Sequence, residues 1–296
     1  MSDYNKAIPR IPFVPNRLPV GEISGEPMVY LDDEFVCDSM YYHWVEDEGR
    51  AVPGSSASIM ARETVCKMLH DAESKLPAGL KFKIYDAYRP IAVQQALYDH
   101  FRAQKREENP GISEEDLDAV TALCVSFPSY NIMLPSLHNS GGAVDLTIID
   151  EDGNELNMGC GFDEFTDRAW VDYYELIKAG DIDPKTGEPT TQEQIDECAK
   201  NRRLLYNVMI EAGFTNFPSE WWHYDFGDEK WGQFSNNVPI YTGNLDAGLR
   251  NAVPYEHQDL VQKANAEQLK KAAEIIALRA DCRELDAEVA KVARGY

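Results

Sequence analysis

Two short segments carry residues that could bind a metal ion. The segment "PSLHNSGGAVDLTII" at residues 135–149 holds His138 and Asp145, seven positions apart, across a glycine-containing turn and the apolar run that follows it. A second imidazole, His223, lies in "SEWWHYDF". Three protein ligands leave the fourth tetrahedral position open to water, which is typical of a catalytic rather than a structural zinc site. The sequence therefore predicts one Zn²⁺ per chain, bound by His138, Asp145 and His223.

Two further residues complete a set for hydrolysis. Glu220 precedes His223 by three positions, so its carboxylate can lie beside the metal, take a proton from water and pass it to a leaving amine. Such a reaction produces a tetrahedral oxyanion, which a fixed guanidinium can stabilise. Arg89, at the end of a predicted strand in "YDAYRP", is the candidate for that role. The set predicts hydrolysis of an amide.

Each of these residues alone also has an ordinary structural explanation. A lone His138 would more often be a hydrogen-bonded turn residue, and a lone Asp145 could cap or turn the chain. A lone Glu220 or Arg89 would be a solvated charge or a surface ion-pair partner. A cysteine nucleophile is disfavoured, because none of the six cysteines lies in a recognisable nucleophile motif. The combination of ligand types, a base next to a ligand and a separate arginine favours catalysis.

The composition limits the class of protein. A chain of 296 residues with 44% hydrophobic residues can form a packed globular core. Its 28 basic and 51 acidic residues give a net charge of −23, which disfavours nucleic acid and anionic membranes as partners. The sequence has neither a signal-peptide pattern nor a run of roughly 18 apolar residues. We therefore expect a cytoplasmic protein with reduced cysteines and no membrane partner.

Hydrophobic periodicity predicts the elements that would position the candidate residues. Period-two alternation in "LKFKIYDAYRP" predicts a strand that ends at Arg89, and "AVDLTII" and "WWHYDF" are also predicted strands. Helical spacing predicts a helix over about residues 56–76, capped by Ser56 or Ser58. Further helices are predicted in "IAVQQALYDHFRAQKRE", "SEEDLDAVTALCVSF" and "NRRLLYNVMIEAGF".

The two ends of the chain and one internal segment differ in composition from the rest. Residues 1–25 carry four prolines and predict an extended arm, and residues 178–192 predict an exposed excursion without a calcium-loop pattern. Residues 256–293 contain no glycine or proline and predict one long helix, which packs on its own domain or pairs with a second subunit as a homodimer. The predicted organisation is an arm at 1–25, a catalytic domain at 26–240 and a C-terminal extension at 241–296.

Several segments together resemble a known family. The blocks "YDAYRP", "SLHNSGGAVDLTI", "GFDEFTDR", "NRRLLYNVMIEAGF" and "EWWHY" resemble the zinc D-alanyl-D-alanine dipeptidases, the VanX type within the D,D-peptidase group. The resemblance runs from about residue 25 to residue 235. It implies an α+β fold: a single domain with a central antiparallel sheet flanked by helices and the zinc site at the sheet, to which the long C-terminal helix would be added.

The resemblance also implies roles for particular residues. His138, Asp145 and His223 would bind zinc, with Glu220 as the catalytic acid and base and Arg89 stabilising the transition state. Ser136 and Asp163 would hold the charged ends of the dipeptide, Asp163 its ammonium group. The implied reaction is hydrolysis of a free D,D-dipeptide to two D-alanines, in a closed pocket that excludes longer peptidoglycan stems. Its biological outcome would be D-alanine salvage or removal of a cell-wall precursor.

Three departures from the family pattern and two alternatives stay open. Residues 138–143 read "HNSGGA" where relatives commonly carry a basic residue and a serine before the alanine, and the 178–192 excursion and the tail after residue 240 have no counterpart in compact members. One alternative is a D,D-carboxypeptidase or another cell-wall peptidase of the same zinc group. The other is a zinc-binding module on this fold that has lost hydrolysis, against which the retention of Glu220 and Arg89 counts.

Overall fold

The computed structural model describes residues 4–12, 17–44, 51–122, 124–129 and 131–244. Its strands are β1 (Met28–Tyr30), β2 (Val36–Cys37), β3 (Met60–Arg62), β4 (Lys81–Asp86), β5 (Ala143–Ile149), β6 (Thr215–Asn216) and β7 (His223–Asp225). Its α-helices are α1 (Glu63–Glu73), α2 (Ile91–Glu108), α3 (Glu114–Thr121), α4 (Leu137–Ser140), α5 (Tyr173–Leu176), α6 (Gln192–Glu211) and α7 (Glu229–Ser235). The described part of the chain is therefore α+β, as the family resemblance implies.

A five-stranded sheet in the order β2-β4-β5-β7-β6 forms the centre of the fold. β4 pairs with β5, β5 with β7 and β7 with β6 in antiparallel fashion, but β2 pairs with β4 in parallel. The predicted purely antiparallel sheet is therefore wrong at this edge, and the sheet is mixed. The chain between β2 and β4 contains β3 and α1, which supply the long crossover that a parallel neighbour requires.

The two faces of β5 have different surroundings. All seven residues of this strand are buried, and Val144, Leu146 and Ile148 belong to the main hydrophobic core, together with residues of α1 and α6. Because side chains alternate along a strand, Asp145 lies on the opposite face. A second apolar cluster, formed by residues of α2 and the segments around it, includes Leu97 and Phe101. The sheet thus separates a dry core from a face that carries a carboxylate.

The start of α1 differs from its prediction. The helix begins at Glu63, because Met60–Arg62 pairs with Met28–Tyr30 as a two-stranded antiparallel sheet. The predicted caps serve other contacts: Ser56 accepts a hydrogen bond from the Ser58 backbone. Pairing with a strand distant in sequence outweighs the helical spacing of residues 56–62, as tertiary context often does.

The predicted strands at β4, β5 and β7 and the predicted helix α2 are confirmed within three residues of their predicted bounds. Helix α3 ends six residues before the end of its predicted segment, and α6 begins nine residues before the start of its predicted segment. Ser113 caps α3 by accepting a hydrogen bond from the Asp116 backbone, and Thr191 begins α6 with a capping box that includes Gln194. The 178–192 excursion is closed by a bridge between Ile182 and Pro189.

The arm and the tail are described only in part. Near the N-terminus, Arg10 forms an ion pair with Asp172, and Ile8 is buried. The predicted helix at 256–293 lies outside the described residues, so the homodimer through it stays a prediction, as do the domain bounds and the cytoplasmic location. Among the helices of the described ranges, none combines the length and the apolar character needed to cross a membrane.

Candidate metal centre and catalytic pocket

The two predicted histidines and the predicted aspartate converge in space. His138 lies in α4, Asp145 in β5 and His223 in β7, and all three side chains are buried. His138 Nε2 is 3.2 Å from His223 Nδ1 and 3.3 Å from Asp145 Oδ2. His223 Nδ1 is 3.0 Å from Asp145 Oδ1. One donor atom from each residue lies within 4.8 Å of the other two, so the three form a group that could hold a metal ion.

Strand register and one tight turn produce this convergence. Asp145 is directly opposite His223 in the β5–β7 pair, which brings side chains on one face within contact distance. α4 ends at Gly141, whose φ of 76° is a left-handed conformation that favours glycine. That turn reverses the chain into β5 and sets His138 beside Asp145. The polar, glycine-containing segment that precedes β5 in the sequence is thus the connection that joins two of the candidate ligands.

The outer nitrogen of each imidazole has its own partner. His138 Nδ1 lies 2.8 Å from the Ala87 carbonyl oxygen, and His223 Nε2 lies 2.7 Å from Asp225 Oδ1. Such partners fix the ring orientation and tautomer of a metal-binding histidine and leave its other nitrogen lone pair free to bind. Sequence reasoning missed Asp225, although the signal was available: it follows His223 by two positions and therefore lies on the same face of β7.

Glu220 lies beside this group. Its Oε2 atom is 3.7 Å from His223 Nδ1, and its side chain is 22% exposed. A turn before β7 holds the residue, since the Glu220 backbone donates to the Phe217 carbonyl and accepts from the His223 backbone. Burial raises the pKa of Glu220 to about 7. The nearby Asp145 carboxylate adds to this increase, and His223 opposes it. The carboxyl group can therefore hold or release a proton near neutral pH.

Arg89 is fixed by hydrogen bonds from each part of its guanidinium group. Nε donates to Asp86 at 2.8 Å, Nη1 to Gln94 at 3.1 Å and Nη2 to the Tyr41 hydroxyl at 3.0 Å. Nη2 is also 3.7 Å from Asp145 Oδ2. A bulge in β4 shifts the register so that Asp86 lies opposite Asp145, and bulges commonly redirect side chains next to active sites. The arginine is thus a rigid positive charge next to the candidate metal centre.

Ser136 and Asp163 line the same cavity. Ser136 is buried and its hydroxyl donates to the Phe127 carbonyl at 3.0 Å. Asp163 accepts a hydrogen bond from the Tyr41 hydroxyl at 3.1 Å and has a φ of 57°. Burial and the Asp145 carboxylate raise the pKa of Asp163 well above its usual value, against the opposing effect of Arg89. All seven residues singled out in the sequence line this one cavity: Arg89, Ser136, His138, Asp145, Asp163, Glu220 and His223.

Tyr41 is a lining residue that sequence reasoning missed. It lies between β2 and β3, joins Arg89 to Asp163 through its hydroxyl, and stacks its ring 4.6 Å below the Arg89 guanidinium carbon. No motif marks it, because its partners are 48 and 122 positions away in the chain.

The segment that carries Asp163 is anchored from beneath by a buried arginine of α6. Arg202 is 1% exposed and donates to the carbonyl oxygens of Met158 at 2.8 Å, Arg168 at 2.7 Å and Trp170 at 2.5 Å. These acceptors lie on both sides of Asp163 in the chain. One side chain therefore fixes both ends of the segment that forms this wall of the cavity.

Comparisons with known proteins identify the family of this chain. A family model described as D-ala-D-ala dipeptidase, peptidase M15, matches residues 31–241. A D-alanyl-D-alanine dipeptidase of Synechocystis is 30% identical over 230 residues, which cover 73% of this chain and 88% of that protein. A protein of the same name from Escherichia coli is 28% identical over 60% of this chain and 71% of its own length. Another from Enterococcus faecalis is 25% identical over 65% of this chain and 86% of its own length. The chain belongs to the D-ala-D-ala dipeptidase family of M15 metallopeptidases.

Proposed function

We propose that this protein hydrolyses the dipeptide D-alanyl-D-alanine to two molecules of D-alanine, with a zinc ion held by His138, Asp145 and His223. The observation that carries the proposal is the convergence of these three donors with Glu220 and Arg89 in one small cavity. The names of the related proteins supply the substrate.

The donor atoms fit a zinc ion. Zinc bonds to nitrogen and oxygen of about 2.0–2.1 Å place neighbouring tetrahedral ligands roughly 3.3 Å apart. The two imidazole nitrogens are 3.2 Å apart, Asp145 Oδ1 is 3.0 Å from His223 Nδ1 and Asp145 Oδ2 is 3.3 Å from His138 Nε2, so the aspartate presents one oxygen to each histidine. Burial lowers the pKa of His138 well below its usual value, which favours the neutral imidazole. Burial alone would also lower the pKa of His223, but the Asp225 and Asp145 carboxylates raise it well above its usual value, so metal binding must displace a proton from this imidazole. When bound, the ion supplies a Lewis acid that makes water nucleophilic near neutral pH.

Glu220 is the proposed general base and acid. As a carboxylate it accepts a proton from the attacking water, and as a carboxylic acid it donates that proton to the nitrogen of the departing D-alanine. A pKa of about 7 suits both steps, because neither protonation state is strongly favoured at neutral pH. Its position 3.7 Å from His223 Nδ1 puts it beside the donor atoms.

Arg89 is proposed to stabilise the oxyanion that develops on the scissile carbonyl. The hydrogen bonds to Asp86, Gln94 and Tyr41 use three of its five N–H groups. A guanidinium that is already fixed requires little reorganisation when negative charge develops, which is the condition for strong electrostatic stabilisation.

Asp163 and Ser136 are proposed to bind the ends of the dipeptide. Asp163 is buried and its pKa is raised, so an ion pair with the ammonium group of a bound substrate would stabilise its carboxylate. The Tyr41 hydroxyl holds Asp163 in position. The cavity measures about 60 Å³ and has apolar walls that include Leu97, Phe101 and Phe165. A small site of this kind supports a short substrate over a long stem peptide.

The test is release of free D-alanine by purified protein loaded with zinc. D-alanyl-D-alanine should be cleaved, and a chelator should abolish the reaction. L-alanyl-L-alanine and a pentapeptide that ends in D-alanyl-D-alanine should remain intact. Cleavage of the pentapeptide would instead establish a D,D-carboxypeptidase, and zinc binding without cleavage of any of the three substrates would establish a non-catalytic module.

A further inference from the structure

A second group of metal-ligand side chains lies between the β1–β2 turn and α1. Glu34 projects from the turn, and Cys66 and His70 are four positions apart on α1. One donor atom from each residue lies within 4.8 Å of the other two. None of the three is among the residues that line the catalytic cavity described above. The group is therefore separate in composition from the proposed catalytic centre.

Helix geometry and the turn bring these donors together. Residues four apart on a helix share one face, so Cys66 and His70 point to the same side of α1. Backbone hydrogen bonds from Glu34 and Phe35 to the Leu31 carbonyl, at 3.0 and 2.9 Å, fix the turn. The Phe35 ring packs on the His70 imidazole with centroids 4.4 Å apart.

The carboxylate of Glu34 lies next to both other donors. Its Oε2 atom is in direct contact with His70 Nε2. The Cys66 sulfur lies within 4.8 Å of a carboxylate oxygen and of an imidazole nitrogen. A metal ion between the three residues would use this convergence of lone pairs.

The donors differ in exposure in a way that suits a surface metal site. Cys66 is 5% exposed and forms part of the main core, whereas the side chains of His70 and Glu34 are 45% and 50% exposed. An ion can therefore reach the group from solvent and keep a water ligand on its open side. Burial, followed by the Glu34 carboxylate, raises the pKa of Cys66 to about 11, so metal binding must displace the thiol proton.

We propose that Glu34, Cys66 and His70 bind a second transition-metal ion, which ties the β1–β2 turn to α1. One thiolate, one imidazole and one carboxylate are ligands that Zn²⁺ accepts together. Zinc bonds to sulfur and nitrogen place such donors about 3.5 Å apart, so donors already within 4.8 Å need only small rotations of exposed side chains. The alternative is that the three residues bind no metal, so that Glu34 and His70 form a surface ion pair above the buried Cys66 thiol.

Cobalt substitution tests the proposal without any need for activity. The full-length protein is freed of metal with a chelator and titrated with Co²⁺ while its absorption spectrum is recorded. The proposed catalytic centre has only nitrogen and oxygen donors, so a thiolate-to-cobalt charge-transfer band in the near ultraviolet would report the second site alone. Wild-type protein should bind two Co²⁺ ions per chain and develop that band. The band should grow as pH rises, because binding releases the thiol proton.

Three variants assign the band. Cys66→Ser should remove the band and lower the number of bound Co²⁺ ions to one per chain. Glu34→Gln, which alters an exposed side chain, should weaken or remove the band without disturbing the core. Cys198→Ser, which alters a buried thiol on α6, should leave the band unchanged. Absence of the band in wild-type protein, or its persistence at full strength in either Cys66→Ser or Glu34→Gln, would overturn the proposal. If wild-type protein develops the band but does not cleave D-alanyl-D-alanine, that result counts only against the proposed function.

Discussion

Asp145 lies directly opposite His223 in the antiparallel pair of β5 and β7, with Oδ1 of the aspartate 3.0 Å from Nδ1 of the histidine. The register of β5 and β7 therefore determines the geometry of the candidate metal centre. A slip of one residue between these strands would turn one of the two side chains to the other face of the sheet. The dry core formed by Val144, Leu146 and Ile148 opposes such a slip, because it would expose these residues.

Replacement of the proposed base should separate catalysis from metal binding. Glu220→Ala should retain stoichiometric zinc, because Glu220 is not among the three converging donors, and should lose about two to four orders of magnitude in kcat. Zinc content by atomic absorption and kcat on D-alanyl-D-alanine measure the two properties. Glu188→Ala, a change of an exposed acid, is the control. Full activity of Glu220→Ala would remove this residue from the mechanism.

The same residue predicts how stability depends on pH in metal-free protein. The folded-state pKa of Glu220 is about 7, against an ordinary value of 4.5, so folding favours the protonated form. Its contribution to stability is fully present below about pH 4.5 and is lost as pH rises through 7. Glu220→Gln should flatten this decline by at most about 3 kcal/mol, measured by urea unfolding at several pH values. Parallel curves for the two proteins would contradict the assignment.

The fixed guanidinium gives a third prediction. Arg89→Lys keeps a positive charge but cannot reproduce the hydrogen bonds to Asp86, Gln94 and Tyr41. We expect kcat to fall by roughly 10²–10³, with a smaller change in KM. Arg102→Lys, in a surface network with Glu114 and Asp118, should leave kcat unchanged. Thermal unfolding of both variants separates a catalytic effect from a loss of folded protein, and equal kcat values would disprove the role.

Recognition of the substrate ammonium group gives a fourth prediction. Asp163→Asn removes the negative charge and retains a side chain that tolerates the observed φ of 57°. KM for D-alanyl-D-alanine should rise by about tenfold or more, which corresponds to the loss of one charge-assisted hydrogen bond. Zinc content should not change. An unaltered KM would assign the ammonium group to another residue.

The turn between His138 and β5 gives a prediction for stability. A Cβ atom on Gly142 would lie 2.2 Å from the Phe226 carbonyl oxygen and 3.0 Å from the Tyr241 ring. Gly142→Ala should therefore destabilise the protein by about 1–3 kcal/mol and weaken zinc binding. Gly25→Ala, where no atom lies within 4 Å of the new Cβ, is the matched control. Equal urea midpoints for the two variants would contradict this account.

The sequence was informative where the chemistry is local. The ligand types of His138, Asp145 and His223, the base three positions before one of them and the buried run of β5 are all visible in short segments. Around them, hydrophobic periodicity predicts β4, α2 and α6, and an apolar run predicts β5. The four-residue helix α4, which carries His138, was expected to be a turn.

What could not be predicted depends on partners distant in the chain. β2 has only two residues, one of them exposed, so no pattern distinguishes its parallel pairing from a turn. The strand Met60–Arg62 forms because it meets Met28–Tyr30, which the helical spacing around it conceals. Tyr41 acquires its role only through Arg89 and Asp163, and a single sequence does not relate positions so far apart.

Arg202 has a consequence for how this pocket could diversify. It holds the segment around Asp163 through backbone carbonyl oxygens at Met158, Arg168 and Trp170. Carbonyl acceptors are present whatever side chains the segment carries. Substitutions between these anchor points can therefore reshape the wall of the cavity while the path of the main chain is preserved. A dipeptidase built in this way could change its preference among short substrates by single mutations, without rebuilding the scaffold that carries the metal donors.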